Sequence, residues 1–285
     1  MAQIDIRRDV LFADAGERPL KLDLYRPAGS GNGAAVLLVH GGGWSRGSKE
    51  MLEPHATALA EQGFIAIASE YRLTGEARFP AQIHDVKRAI RWVRARAGEL
   101  GFDPDRLCLE GHSAGAHLVL LAAGTPNDAR FDPPEGSGGV SASAAAVAAI
   151  YPPVLFYLSG ARPSGGLAAK SLPGADDSDE AAALASPIEH VTANLPPVML
   201  LHGDADKIVP VSASRRYEER VRAVGGKVDL HIFAGLPHGF GNHAEIRPML
   251  MAMIGGFFRR TVAEPEAFTV PAPPAPAREA VPAQA

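Results

Sequence analysis

Short apolar runs set off by Gly or Pro recur along the chain: Val36–Val39, Phe64–Ser69, Leu107–Glu110, Ala146–Tyr151, Val198–Leu201 and Val228–Phe233. Each reads as a buried strand of a parallel sheet. Two earlier strands are expected at Ile4–Phe12 and Pro19–Tyr25. Between the runs the period lengthens to that of helices. In residues 84–97, Val86, Ile90, Val93 and Ala97 share one face, and Lys87, Arg88, Arg91 and Arg94 are expected to turn outward. Residues 212–224 repeat this signature through Tyr217, Val221 and Val224, with Gly225-Gly226 as the stop. Met249, Leu250, Met253, Ile254, Phe257 and Phe258 predict a final helix closed by Arg259 and Arg260, where cations suit the dipole.

Strands alternating with helices predict an α/β fold: a mostly parallel sheet of about eight strands with helices on both faces. Ligands in such sheets collect at the carboxyl ends of the strands, so chemistry is expected on the loops that follow them. Residues 125–140, rich in Gly, Pro and Asp, and the irregular residues 155–190 break the alternation. The second stretch is expected to form a short lid or specificity loop. From residue 264 the chain is Pro- and Ala-rich with too little apolar bulk to join a core. The expected organisation is one domain over residues 1–263 and a disordered tail over residues 264–285.

Apolar residues make up 46% and charged residues 21%, which fits a soluble globular protein. A net charge of -4 with scattered lysines and arginines gives no footprint for nucleic acid or anionic lipid. The lone Cys108 precludes an intrachain disulfide and reads as a small buried strand residue. The first eight residues lack the apolar core of a signal peptide, and no apolar run approaches the roughly 20 residues that span a bilayer. A cytoplasmic protein with no membrane contact is the expectation.

Gly111-His112-Ser113-Ala114-Gly115 fits G-x-S-x-G. In a chain with 30 glycines the pentapeptide alone is a weak signal. Its context is strong: it follows the strand Leu107–Glu110 and opens the apolar helix Ala114–Ala123, the strand, sharp turn and helix that expose a nucleophilic serine. After the strand Val36–Val39 comes His40-Gly41-Gly42-Gly43-Trp44. Its glycines allow main-chain N–H groups to approach a reacting carbonyl oxygen. The N–H groups of Gly42, Gly43 and Ala114 are the candidate oxyanion hole, where losing one donor typically costs about 3 kcal/mol of barrier. Phosphate and dinucleotide loops would need G-x-x-x-x-G-K-[ST] or G-x-G-x-x-G, and neither fits here.

A serine is a poor nucleophile without a base in reach and an acid to fix that base's tautomer. Asp206, beyond the strand Val198–Leu201, and His238, beyond the strand Val228–Phe233, supply both, and the order Ser113, Asp206, His238 matches this chemistry on an α/β sheet. Asp204 is the rival acid and His243 the rival base. Asp204 is better suited to a local turn hydrogen bond, and His243 falls further from its strand. Trp44 and His112 are candidate substrate-binding residues. His55, His84, His190 and His231 read as surface or packed residues. No histidine pair has ligand spacing such as H-E-x-x-H, so no metal is expected.

Taken in order, His40-Gly41-Gly42-Gly43-Trp44, Glu70-Tyr71-Arg72-Leu73, Phe79-Pro80-Ala81, Gly111-His112-Ser113-Ala114-Gly115, His202-Gly203-Asp204-Ala205-Asp206 and Pro237-His238-Gly239-Phe240 resemble the HGGG-containing esterases of the α/β-hydrolase superfamily. These are the hormone-sensitive-lipase-like carboxylesterases and the bacterial feruloyl-esterase-like hydrolases. The resemblance spans roughly residues 20–260. It implies an α/β-hydrolase fold, the triad and oxyanion hole named above, a small-molecule ester as substrate and no cofactor, and it leaves a homodimer open. Gly-His-Ser-Ala-Gly-Ala departs from the Gly-Asp-Ser-Ala-Gly-Gly of the hormone-sensitive-lipase branch and looks more like the feruloyl-esterase-like and kynurenine-formamidase-like branches. The two early strands occupy much of the chain before His40, so a large N-terminal helical cap is not expected. The expected activity is a serine carboxylesterase for short acyl or aryl esters. An arylformamidase or amidase with the same triad, or a non-catalytic ligand-binding homologue, stays open.

Overall fold

The computed structural model describes residues 4–14, 18–157, 167–168 and 178–269. The strands are β1 (Ile4–Asp14), β2 (Pro19–Pro27), β3 (Ala35–Val39), β4 (Ile65–Ser69), β5 (Leu107–His112), β6 (Ala146–Ile150), the two-residue β7 (Phe156–Tyr157) and β8 (Leu167–Ala168), β9 (Val198–Gly203) and β10 (Val228–Phe233). The α-helices are α1 (Glu53–Glu61), α2 (Ala81–Ala95), α3 (Ala97–Leu100), α4 (Ala114–Gly124), α5 (Asp179–Leu184), α6 (Ser212–Ala223) and α7 (Arg247–Phe258). Eight strands form one sheet in the order β1-β2-β4-β3-β5-β6-β9-β10. The six strands expected to run parallel do so, and β1 and β2 join as an antiparallel hairpin, β2 pairing antiparallel with β4.

The continuous apolar runs have a plain cause. Side chains alternate between the two faces of a strand, and both faces are covered. Leu37 and Val39 of β3 pack with Val86 and Ile90 of α2, Leu118 of α4 and Tyr217 of α6. Val36 and Leu38 join Leu59 of α1 and Ile254 and Phe258 of α7 on the other face. Strand β10 has β9 as its one neighbour, and most of its residues are only half-buried. Helix α6 stops as expected, with Gly225 at φ +76° and the N–H of Gly226 bonded to the carbonyl of Val221.

The cationic face of α2 does not turn to solvent. Lys87 is fully buried, with its Nζ 3.0 Å from Asp132, and Arg91 reaches the same Asp132 oxygen at 2.6 Å. Arg88 pairs with Asp85 and Glu135, and Arg94 donates to the carbonyl of Ser143. The Gly-, Pro- and Asp-rich segment after α4 is therefore a cover over α2, its acidic groups matched to the helix's cations. At the chain's far end, α7 runs past Arg259 and Arg260 into a π-helical turn, Arg259–Ala263, rather than ending there.

Helix α1 had no clear periodicity in the sequence. Pro54 stands in its first turn, and His55, Ala56, Leu59 and Ala60 face the core. Of the expected lid at 155–190, β7, β8, α5 and the turn Pro187–His190 are described, and residues 158–166 and 169–177 lie outside the described residues. Of the expected tail, a short helical turn covers Pro265–Phe268 and residues 270–285 lie outside the described residues. No described helix is long and apolar enough to cross a membrane.

Candidate active site

Strand β5 runs into the sharp turn that the pentapeptide requires. Ser113 sits at φ 50° and ψ -114°, outside the regions open to most L-residues, and α4 begins at the next residue. The turn is tight because Gly111 and Gly115 touch: a β-carbon on Gly111 would lie 2.5 Å from the carbonyl of Gly115. The Ser113 N–H donates to the carbonyl of Ile150, which ties the turn to β6.

The carboxyl end of β9 brings in Asp206 and that of β10 brings in His238. Nδ1 of His238 lies 2.6 Å from Oδ2 of Asp206, and Nε2 lies 2.9 Å from Oγ of Ser113. Because the carboxylate only accepts, Nδ1 carries the hydrogen and Nε2 offers its lone pair to the serine hydroxyl. Asp206 is itself held. Its Oδ1 accepts from the N–H groups of Ile208 and Val209, and Nε2 of His202 stands 3.3 Å from Oδ2. Burial opposes ionisation of Asp206, but the hydrogen bonds from His202, His238 and the Val209 N–H outweigh it and keep the carboxyl well below the usual carboxylate range.

Beside Ser113 lies the glycine loop after β3. Gly42 has φ +121°, a value essentially confined to glycine, and Gly43 φ +60°, in the left-handed region that favours it. The Gly42 carbonyl accepts from the N–H groups of Ser45 and Arg46, which closes the turn. Upstream, the His40 ring stacks on Tyr71 at 4.4 Å, its Nδ1 is 2.8 Å from the Gly41 carbonyl, and the Tyr71 hydroxyl donates to the His40 carbonyl. Burial pushes the His40 imidazole down to about 4, so it is an uncharged anchor for the loop at neutral pH. As first residue of α4, Ala114 presents an N–H with no acceptor inside the helix.

The structure separates the rival candidates. Asp204 accepts from the N–H of Gly235 at 2.6 Å, a bond across to the loop after β10 rather than the local turn bond expected of it, and His243 is exposed beyond His238. His112 and Ser113 both line a cavity of about 280 Å³ with His40, Gly42, Gly43 and His238. Trp44 is not among its described lining residues. Its ring is buried against His117 and Phe156, and its Nε1 donates to Nδ1 of His117.

Sequence reasoning missed several residues of this wall. Met51, Leu52 and Ile208 supply apolar surface, and Arg46 and Asn242 supply polar groups. Tyr151 was read only as the end of a strand. It has φ 44°, and its ring lies 4.5 Å from that of His238. Its place at the carboxyl end of β6, just before Pro152-Pro153, was the available signal. His55, Glu110 and His112, all buried, bring three side chains of metal-ligating type close enough to hold an ion.

Residues 22–221 match the BD-FAE family. The chain belongs to that family. Among relatives, it is 33% identical over 251 residues to the protein named probable carboxylic ester hydrolase LipM of Mycobacterium tuberculosis, covering 83% of this chain and 55% of that one. It is 33% identical to Esterase LipC of the same organism, over 82% of this chain and 60% of the other. The chain thus spans a little over half the length of these relatives. Among solved structures, esterase 2 of Thermogutta terrifontis superposes with a TM-score of 0.75 at 27% identity, over 91% of both chains. This BD-FAE member has the α/β-hydrolase fold.

Proposed function

We propose that this chain is a serine carboxylesterase acting on short acyl or aryl esters, with Ser113, His238 and Asp206 as its triad and the N–H groups of Gly42, Gly43 and Ala114 as its oxyanion hole. The observation that carries the reading is the unbroken hydrogen-bonded line from Asp206 through His238 to Ser113, opening on a cavity beside the glycine loop. His238 takes the Ser113 proton as Oγ attacks the ester carbonyl, and the carbonyl electron pair moves onto an oxygen facing the glycine loop. The tetrahedral intermediate collapses, and the alcohol leaves with the proton from His238. Water repeats the sequence on the acyl-enzyme and frees Ser113, while Asp206 steadies the imidazolium. No step calls for a cofactor.

The short-acyl part of the reading rests on size and lining. A cavity near 280 Å³, with Met51, Leu52 and Ile208 among its walls, is small for a ligand site and suited to a short chain. Structures of the Thermogutta terrifontis esterase with propionate and with butyrate bound support the same range. Hydrolysis of 4-nitrophenyl esters from acetate to decanoate, with wild type and Ser113→Ala in parallel, tests both parts. Turnover is expected to peak at short chains and to vanish in the variant. A peak at long chains would remove the short-acyl reading, and a matched anilide cleaved faster than its ester would make the enzyme an amidase.

A further inference from the structure

Next to the elbow lies a second group of titratable side chains that the reaction above does not use. Glu110 of β5 is fully buried. Its Oε1 lies 3.1 Å from Nδ1 of His55 and 3.1 Å from Nε2 of His112, and its Oε2 has no hydrogen-bond partner among the described residues. The contacts continue at both ends. Nε2 of His55 is 3.1 Å from the carbonyl oxygen of Gly241, and Nδ1 of His112 is 3.2 Å from the Tyr151 hydroxyl. Gly241 closes the ring: a β-carbon on it would stand 3.2 Å from both Cε1 of His112 and that hydroxyl.

Counting hydrogens defines the state of this group. A carbonyl oxygen only accepts, so Nε2 of His55 carries a hydrogen. A carboxylate oxygen also only accepts, so the contact between Nδ1 of His55 and Glu110 needs a second hydrogen, held by the ring or by the carboxyl. The two residues together hold one proton more than a neutral imidazole and a carboxylate, and the pair is neutral overall. That removes the penalty of a lone buried charge. His112 then donates from Nε2 to Glu110 and accepts the Tyr151 hydroxyl at Nδ1.

Two imidazoles and a carboxylate are also a zinc-binding set. A zinc ion would sit about 2.1 Å from each ring nitrogen, and the ligand atoms of the three residues all lie within 4.8 Å of one another. The contacts favour the proton as occupant, because donors and acceptors along the group match with one proton added, and metal analysis of the purified chain separates the two.

The members come from separate parts of the fold: His55 from α1, Glu110 and His112 from β5, Tyr151 from the end of β6, and Gly241 from the loop that carries His238. His112 directly precedes Ser113, and the Tyr151 ring packs on His238. Resting on the esterase reading, we propose that Glu110, with His55 and His112, is a positioning group that clamps the His238 loop to the Ser113 elbow through a buried shared proton.

The experiment is Glu110→Gln in the full chain, followed by kinetics on 4-nitrophenyl acetate, thermal melting and proton NMR. Glutamine keeps the shape but not the charge that retains the proton: its amide either sets an oxygen against Nδ1 of His55 as a second acceptor or turns its N–H groups inward and reverses the donors of the cluster. The expected kcat falls about tenfold to a hundredfold, as for a small misplacement of reacting groups, with KM nearly unchanged. An exchange-protected downfield proton is expected in wild type and in Asp206→Asn, and is expected to be lost in Glu110→Gln. If Glu110→Gln does not fold, Tyr151→Phe reads the same clamp, since it keeps the ring on His238 and removes one hydrogen bond, and a kcat loss of about fivefold is expected. A lowered Tm with unchanged kcat would make the cluster merely structural. A stoichiometric metal in the purified chain, removed by chelator together with activity, would replace the proton with an ion. Absence of the downfield signal in wild type would also overturn the proposal. A wild type without esterase turnover would instead fault the esterase reading, and the NMR comparison would still decide the shared proton.

Discussion

The carbonyl oxygen of Val39 would stand 2.0 Å from a β-carbon on Gly115, so α4 rests on β3 with only a hydrogen between them. Backbone on both sides cannot yield as a side chain could. Gly115→Ala is therefore expected to cost about 3 kcal/mol or more, at the upper end of overpacking effects. Gly256 in α7 is the control. An added β-carbon there meets nothing within 4 Å, and Gly256→Ala is expected to gain about 0.5–1 kcal/mol from helix propensity. Urea unfolding of both variants checks the pair, and equal effects would contradict the packing argument.

The two central loop glycines should also part company. A β-carbon on Gly42 would lie 2.0 Å from the carbonyl oxygen of Arg46, whereas one on Gly43 meets nothing within 4 Å. Gly42→Ala must reshape the loop and is expected to lose on the order of a hundredfold in kcat, comparable to losing an oxyanion donor. Gly43→Ala carries only the strain of an L-residue at φ +60°, about 1–2 kcal/mol, and is expected to keep most activity. Steady-state kinetics on one short ester separates them.

Asp206 links activity to acid stability. Asp206→Asn is expected to lower kcat by about 10⁴-fold, because an amide at that place can turn its N–H toward His238 and reverse the tautomer. The folded carboxyl ionises well below its ordinary value of about 4, so its stabilisation is complete above that pH and is lost as pH falls toward the folded pKa. The gap in Tm between wild type and Asp206→Asn should therefore be widest near neutrality and shrink below about pH 4. A gap that widens on acidification would show the opposite sign of shift.

What the sequence made legible follows the range of the forces involved. Ser113, Asp206 and His238 could be placed because each lies just past a strand end, where local rules of turn and sheet decide position, and the glycine loop was readable for the same reason. The cover over α2 was not, because Lys87 and Asp132 are far apart in the chain and a cation on a helix gives no sign of which carboxylate will bury it. Helix α1 hid behind Pro54 and an alanine-rich face. Glu110 hid inside an apolar strand, and its pairing with His55 joins segments that only the sheet brings together. Trp44 follows the glycine loop directly, yet its ring packs into the core on His117 and Phe156, an outcome set by packing rather than by chain position.

The Asp132 cluster offers the clearest test of that long-range cover. Lys87 has no exposed side-chain surface, and burial pulls its ammonium below the usual lysine range while its hydrogen bond to Asp132 works against that shift. Asp132→Ala removes the partner of both Lys87 and Arg91 and leaves a buried cation unpaired, which is expected to cost about 3–5 kcal/mol. Lys87→Met with Asp132→Ala should recover part of that loss, because methionine fills the lysine's volume without its charge. A double-mutant cycle by urea unfolding gives the coupling directly. Additive losses would mean that Lys87 and Asp132 do not hold one another and that the cover is fastened to α2 by Arg88 on Glu135 and Arg94 on Ser143 instead.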